Sequence, residues 1–405
     1  MAETPQDSLR AAGAPRPSIT SLIAADGGAL SAELNALRRT LFPPASTKVL
    51  RSFTSGEAAR LIGVADGYLR QISLAGKGPE PEVGPGGRRS YTLDQINALR
   101  HLLDEGPKSK RYVPHRSGSE HCQVLAVVNF KGGSGKTTTA AHLAQYLALK
   151  GYRVLAVDLD PQASLTALHG YQPEFDVDAN QTLYAAIRYD EARRPLAEVV
   201  RRTYFSGLDL VPANLELMEF EHDTPKALAD QEAELFFGRI ATVLGSVAEA
   251  YDVMILDCPP QLGFLTLGAL CAATAMLVTV HPQMLDVMSM CQFLLMASDL
   301  LGVVQEAGAE LDYDFLRYVV TRYEPSDGPQ TQMVAFMRSL FRDRVLTHTM
   351  LKSTAVSDAG LSKQTLYEIG RESFSRATYD RAIEALDGVN GEILGLMHRA
   401  WGRAA

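Results

Sequence analysis

Cysteine is scarce in this sequence of 405 residues: Cys122, Cys258, Cys271 and Cys291 are all there is, and no two have C-x-x-C spacing. That argues against a zinc ribbon or a disulfide framework and leaves four reduced, mostly buried thiols of a cytosolic protein. Long apolar runs are missing as well. The N-terminus carries Glu3 and Asp7 without an apolar stretch, so it does not read as a secretory signal. The longest apolar window, Ala269 to Val280, is too short to cross a bilayer and reads as a buried segment. A strong charge of one sign is also absent: the net charge is −8, with 21% charged and 46% apolar residues, an ordinary soluble composition. The modest total hides an asymmetry. Residues 1–122 hold 16 Lys and Arg against 12 acids, and the remainder holds 23 against 35. A slightly basic N-terminal part on an acidic body points to nucleic-acid contact by the former. The length suits two or three domains with sizeable cores.

Met1 to about Ser18 is rich in Ala, Pro and Ser and reads as a disordered tail. Over residues 19–45, Leu22, Leu30, Leu34, Leu37 and Leu41 recur at helical spacing until Pro43-Pro44 stops the pattern. That stripe either packs on its own domain or forms a dimerisation helix. Residues 51–105 form a compact unit. Thr54-x-x-Glu57 is a capping box opening a first helix, Gly63 makes a turn, and a second helix runs from about Ala65 to Leu74. A Gly/Pro-rich hairpin-like stretch, Gly76 to Gly87, then leads through Arg88-Arg89 to a third helix, Leu93 to Leu103. This is the order of a winged helix-turn-helix. The segment resembles the DNA-binding head of MerR-type regulators, with Phe-Thr-x-x-Glu-Ala-Ala-x-Leu opening the motif and Arg-x-Tyr-Thr after the wing. On that reading Tyr68, Arg70 and Gln71 face the major groove, and Lys77, Arg88 and Arg89 contact phosphates. A basic linker, 106–121, carries Lys108, Lys110, Arg111 and Arg116.

From Gln123 onward strand and helix patterns alternate, with strands expected at 123–129, 153–158, 207–211, 252–257, 275–280 and 315–321. Such alternation implies right-handed βαβ crossovers and a mostly parallel sheet covered by helices. Lys131-Gly-Gly-Ser-Gly-Lys136-Thr137-Thr138 follows the first strand and opens a helix, the context in which backbone N–H groups and the helix dipole converge on phosphates. Gly132, Gly133, Ser134, Gly135, Lys136, Thr137 and Thr138 are the expected nucleotide contacts, with Lys136 on the β/γ-phosphates and the Thr137 hydroxyl on Mg²⁺. Phe130 occupies the position where a strict P-loop has its first glycine, and Lys131 is an added cation at the loop mouth. Two further strands end in acids, Val154 to Asp158-Leu-Asp160-Pro-Gln and Val253 to Asp257-Cys-Pro-Pro260. Asp257 reads as the Mg²⁺-side acid, Asp158 as support for the metal region, and Asp160 as the residue that orients attacking water.

With these motifs together, the chain from about Gln123 to Ala385 resembles the ParA/MinD-type ATPases, the deviant-Walker branch of P-loop NTPases. The winged-helix extension makes the whole chain similar to large plasmid partition ATPases. The stretch Val280-His-Pro-Gln-Met-Leu-Asp286-Val-Met-Ser289-Met resembles those of RepABC-type replicons. The resemblance implies ATP and Mg²⁺ as cofactors and a homodimer closed around two nucleotides. In that dimer Lys131 crosses to the partner's nucleotide as a catalytic residue. It further implies a cytoplasmic, nucleoid-associated protein without stable membrane association. DNA would be bound non-specifically by the ATP dimer, and a ParB/RepB-type adaptor would stimulate slow hydrolysis. Arg338, Arg342, Arg344, Lys352 and Lys363 form a basic stretch suited to DNA phosphates, with Lys352 favoured by its place ahead of Ser357-Asp-Ala359. The rival reading is a MinD-like membrane-surface ATPase. Its mark would be a C-terminal amphipathic helix, for which Ile393, Leu394, Met397 and Trp401 with Arg399 and Arg403 are the candidates.

Overall fold

The computed structural model describes residues 18–41, 48–106, 111–230 and 236–403. The expected tail, the Pro43-Pro44 stop, Lys108 and Lys110 lie outside the described residues, as do the side chains of Leu34, Leu37 and Leu41. The chain divides into two compact units, Met1–Thr47 and Lys48–Ala405. In the first, helix α1 (Ile19–Leu41) leaves Ile19, Leu22, Ile23 and Leu30 exposed.

The second unit opens with a small module. Strand β1 (Phe53–Thr54) runs into helix α2 (Ser55–Ile62), whose capping box is reciprocal: Thr54 Oγ1 accepts from Glu57 N–H, and the Glu57 carboxylate accepts from Thr54 N–H. Gly63, at φ 83°, ends that helix in a conformation that any β-carbon would strain. Helix α3 (Asp66–Leu74) follows, then β2 (Glu82–Val83) and β3 (Arg89–Tyr91), which form an antiparallel sheet in the order β1-β3-β2. Thr92 and Gln95 repeat the capping box at the start of α4 (Leu93–Asp104). Phe53, Ala58, Leu69, Tyr91, Ile96 and Leu99 belong to the same continuous core as the body behind them, so this module is not a detached bead.

The body begins with β4 (Gln123–Val128), α5 (Lys136–Leu149), β5 (Val154–Asp158) and the short α6 (Ser164–Leu168). Single-turn helices α7 to α9 follow at Pro173–Asp176, Tyr184–Ile187 and Leu196–Val199, with β6 (Arg201–Arg202) and β7 (Leu208–Val211) after them. Helices α10 (Met218–Ala229) and α11 (Phe236–Gly245) precede β8 (Val253–Asp257), α12 (Phe264–Ala272) and β9 (Ala275–Val280). The chain then continues through α13 (Met284–Glu306), β10 (Phe315–Val320), α14 (Gly328–Phe341), α15 (Thr354–Leu361) and α16 (Arg376–Ala400). The sheet order is β10-β9-β4-β8-β5-β7-β6, parallel throughout except for the β6–β7 edge.

Period-two alternation splits the strands between two cores. Leu125, Val127, Val154, Ala156 and Ile255 face α5 and α16, while Ala126, Val128, Leu155, Val157 and Leu256 face α11, α12 and α13. Both faces are covered, which is why these strands read as unbroken apolar runs rather than alternating ones.

Three expectations need revision. Edge strand β6 escaped the sequence pattern because Arg201-Arg202 has no apolar alternation; it is held by its ladder with Leu210 and Asp209 and by bonds of Arg201 to Asp176 O and Gln181 and of Tyr171 to Arg202 O. The apolar window at 269–280 is the end of α12 plus β9. Among the described residues, the helix long and apolar enough to cross a membrane, by length and composition only, is α13. It packs Met290, Phe293, Ala297 and Val304 on the body and exposes Met284, Leu285, Met288, Leu295 and Val303. Finally, the described part of the linker is fastened down: Arg116 donates to the carbonyls of Tyr251, Ala248 and Glu120, and Arg403 pairs with Glu120. The apolar face of α16 is spent on packing. Ile393 and Met397 are fully buried, and Trp401, beyond the helix end, is buried with its indole N–H on His121 O.

Candidate functional site

Beyond the carboxyl ends of β4, β5 and β8 lies a cavity of about 630 Å³. Gly132, Gly133, Gly135, Lys136, Thr137 and Thr138 form one wall, Asp160, Gln162 and Pro260 a second, and Met350 to Ser353, Val356, Ala382 and Leu386 the far end. Two loop glycines are demanded by conformation, with Gly133 at φ 76° and Gly135 at φ 87°. The loop is pinned from outside by residues the sequence reading passed over. Asn129 Oδ1 accepts from Lys131 N–H at 3.0 Å while its amide donates to Thr279 O. Thr321 Oγ1 donates to Ser134 O at 2.7 Å, and the Ser134 hydroxyl bonds Thr279 Oγ1 at 3.1 Å. Ser134, expected as a nucleotide contact, therefore turns its side chain into the strand ends, away from the cavity. Its hydroxyl is a structural pin.

Lys136 is mostly buried and its Nζ spans the loop to Lys131 O at 3.3 Å. Burial pulls its pKa down, and Asp257 and Asp160 counter that. Asp257 is the informative group behind it. Both carboxylate oxygens are buried, and neither has a hydrogen-bond partner among the described residues. Burial, then the neighbouring Asp158, hold its pKa well above the carboxylate range. Thr137 and Lys136 lie close enough to favour the ionised form, although no bond of ordinary geometry reaches either oxygen. A buried carboxylate with unused lone pairs beside a threonine hydroxyl is the donor set that Mg²⁺ needs when phosphates and water supply the other ligands. Among the described residues no cluster of three or more His, Cys, Asp or Glu could hold a metal by itself, which agrees with such a shared site.

Asp158 sits opposite Asp257 in the β5–β8 register and is equally buried, but it is spoken for. Its Oδ1 accepts from Asp160 N–H at 3.2 Å, and its Oδ2 accepts from Thr166 N–H and Oγ1 at 2.8 and 2.7 Å. Burial pushes its pKa up to about 7 against the effect of those bonds. Asp158 thus braces the loop that carries Asp160, beside the proposed metal region. Asp160 itself lines the cavity, partly exposed, with Oδ1 accepting from Gln162 N–H at 2.9 Å.

Lys131 opens the loop but does not line the cavity: its ammonium lies 2.8 Å from Asp286 of α13, 155 residues away in the sequence. The α3 residues Tyr68, Arg70 and Gln71 are exposed, as are Lys77 and Arg88, and Arg89 is half-buried. The C-terminal basic residues do not form one stripe. Arg338 donates to Thr347 O, Arg344 lies over the Phe341 ring, and Arg342 falls between them at the end of α14. Lys352 instead pairs with Glu324 at 2.8 Å on the rim of the nucleotide cavity. Val345 bridges to Tyr318 within β10 and Leu351 to Tyr323 beyond its end, so the two groups sit at different points along the sheet edge. Chain proximity had merged what the sheet separates.

Residues 122–303 match the family model described as an AAA domain. The chain is 57% identical over 390 residues to a replication protein A of Rhizobium rhizogenes, covering 95% of this chain and 96% of that one. It is 32% identical over 337 residues to protein SopA of Escherichia coli K12, covering 80% and 82%. Among solved structures, one described as a partition protein has a TM-score of 0.59 at 20% identity, covering 90% of this chain and 99% of that one. Cobyrinic acid a,c-diamide synthase of Mycobacterium smegmatis, crystallised with ADP and magnesium, has a TM-score of 0.50 at 27% identity, covering 60% and 91%.

Proposed function

The chain belongs to the ParA/MinD-type family of partition ATPases, and from that premise we propose that it is a plasmid partition ATPase of the RepABC type. In this reading it hydrolyses ATP with Mg²⁺, dimerises around the nucleotide and binds DNA as that dimer. A ParB/RepB-type adaptor then triggers turnover. The observation that carries the reading is the orphaned, buried carboxylate of Asp257 behind Lys136 and Thr137, which line the cavity, with a second lysine, Lys131, in the same loop.

The chemistry assigned to each residue follows from its place. Backbone N–H groups of Gly132 to Thr138 and the start of α5 hold the phosphates, and Lys136 neutralises them. Thr137 and Asp257 would hold Mg²⁺, which supplies charge neutralisation across the phosphate oxygens. Asp160, braced by Asp158, orients a water for in-line attack. Lys131 serves the partner's nucleotide once it leaves Asp286.

The dimer face is assigned to the exposed apolar side of α13 together with Phe130, because Leu285 (71% exposed) and Met288 (57%) lie close in sequence to Asp286, the partner of Lys131. Leu285→Asp is expected to keep nucleotide binding and lose the ATP-dependent dimer. Sedimentation velocity with and without ATP checks this, and an unchanged dimer refutes the assignment. The exposed stripe on α1 is a second candidate contact between copies.

The 51–105 module is assigned to operator DNA through Tyr68, Arg70, Gln71, Lys77, Arg88 and Arg89, with autoregulation of its own operon as the outcome. Non-specific DNA contact is assigned to Arg338, Arg342 and Arg344. Replacing Arg88 and Arg89 by Ala should weaken operator binding about tenfold or more and leave non-specific binding by the ATP dimer intact. Replacing the three C-terminal arginines should do the reverse. Gel shifts in which both activities fall together in each variant would contradict that division. The function as a whole is tested by ATPase rates with DNA alone, with the adaptor alone and with both. Synergistic stimulation is expected, and binding that requires anionic lipid and ignores DNA would favour the membrane-surface alternative.

A further inference from the structure

Three helices begin on the nucleotide cavity, and their far ends are held by two cations from the N-terminal part of the same unit. Helix α5 starts at Lys136, α6 at Ser164 and α15 just after Ser353, and all three of these residues line the cavity. At the end of α5, Leu149 O accepts a 2.6 Å bond from the Arg100 guanidinium, which also donates to Leu61 O at 2.8 Å and to Asn97 Oδ1. Arg100 is 2% exposed and has no carboxylate partner among the described residues. At the end of α6, Leu168 O accepts from Lys48 Nζ at 2.7 Å. The same ammonium donates to Lys363 O, two residues past α15, and pairs with Glu368 at 2.9 Å.

Helix C-termini present unsatisfied carbonyls and partial negative charge, so a buried cation there is both well bound and costly to displace. Helix α6 also carries Thr166. Its N–H and hydroxyl hold Asp158, and its Oγ1 accepts from Ala213 N–H at 2.9 Å. Through that one turn of helix, Lys48 reaches the loop that presents Asp160.

We propose that Lys48 and Arg100 are positioning residues of the nucleotide site: they fix the far ends of α5, α6 and α15 and so couple the 48–106 module to ATP binding and turnover. This rests on the reading of the cavity as an ATPase site. Packed helices move as rigid bodies, so a small shift of the cavity lining when nucleotide occupies it is felt at Leu149, Leu168 and Lys363. By linkage, whatever the module binds changes ATP affinity by the same factor that ATP changes the module's affinity.

The test uses the full chain with Lys48→Met and Arg100→Met. Mg·ATP affinity, kcat, KM and the melting temperature with and without Mg·ATP are compared with wild type. Mg·ATP should bind about 5–20-fold more weakly, and the nucleotide-induced rise in melting temperature should shrink. Tyr204→Phe, which removes a hydroxyl that accepts from Lys48 at 3.1 Å and donates weakly to Leu168 O at 3.4 Å but leaves the bonds of Lys48 to Leu168 O, Lys363 O and Glu368, should keep wild-type affinity. A merely structural role would lower both melting temperatures equally and leave affinity unchanged, overturning the proposal. Should either methionine variant fail to fold, hydrogen exchange on the wild type decides: Mg·ATP must slow exchange in α4, and unaltered exchange there overturns the coupling. A wild-type chain that binds no nucleotide sinks the ATPase reading itself, and the proposal with it, whereas wild-type binding with unchanged variants sinks only the coupling.

Discussion

Lys136→Ala is expected to abolish measurable nucleotide binding. The ammonium lies between the Lys131 carbonyl and the carboxylates of Asp257 and Asp160, in a wall that is otherwise glycine backbone and threonine. Removing it leaves the phosphates without their nearest cation and leaves Asp257, already without hydrogen bonds, with no close positive charge. Loss of one member of a buried charged constellation costs about 3–5 kcal/mol. That corresponds to roughly 10² to several times 10³-fold in affinity. Fluorescence titration with a nucleotide analogue reads this directly. Equal affinity in wild type and variant would refute the assignment of the loop.

Asp160→Ala should separate binding from turnover. Asp160 contributes no part of the phosphate cradle. It projects from the loop that Asp158 and Thr166 brace, and its Oδ1 is committed to Gln162 N–H. Truncation removes the carboxylate that would orient water and leaves the brace intact, because Asp158 bonds the Asp160 backbone and not its side chain. Nucleotide affinity and the ATP-dependent dimer should persist, with kcat lower by about 10²–10⁴-fold. Single-turnover hydrolysis measured beside sedimentation provides both readouts. A variant that hydrolyses ATP at the wild-type rate would remove Asp160 from the mechanism. One that cannot dimerise would make it a structural residue of the switch loop.

Much of this site was legible before any fold was known, since glycines, lysines and strand-end acids sit in short contiguous motifs. The positions of Gly133, Gly135, Lys136, Thr137, Asp160 and Asp257 follow from chain-local chemistry. Asp158 was legible as a strand-end acid, but its bond to Thr166 was not, because nothing local marks it. Asn129, Thr279 and Thr321 went unnoticed for a similar reason. Each pins the loop from the end of a different strand, and only the β10-β9-β4 neighbourhood brings those ends together. The basic stretch at 338–352 was read as one surface because adjacency in sequence was taken for adjacency in space.

By itself, then, the sequence determined the type of fold and the phosphate-binding chemistry, because apolar periodicity sets strands and helices, and glycine and lysine at fixed spacing set the loop. Tertiary structure alone decided which carboxylate is free and which is engaged. It also decided where Lys131 rests, and that Arg100 and Lys48 reach the ends of helices that start on the nucleotide cavity. The placement of Lys131, Arg100 and Lys48 depends on hydrogen bonds spanning 49 to 315 residues of chain, for which no local pattern exists.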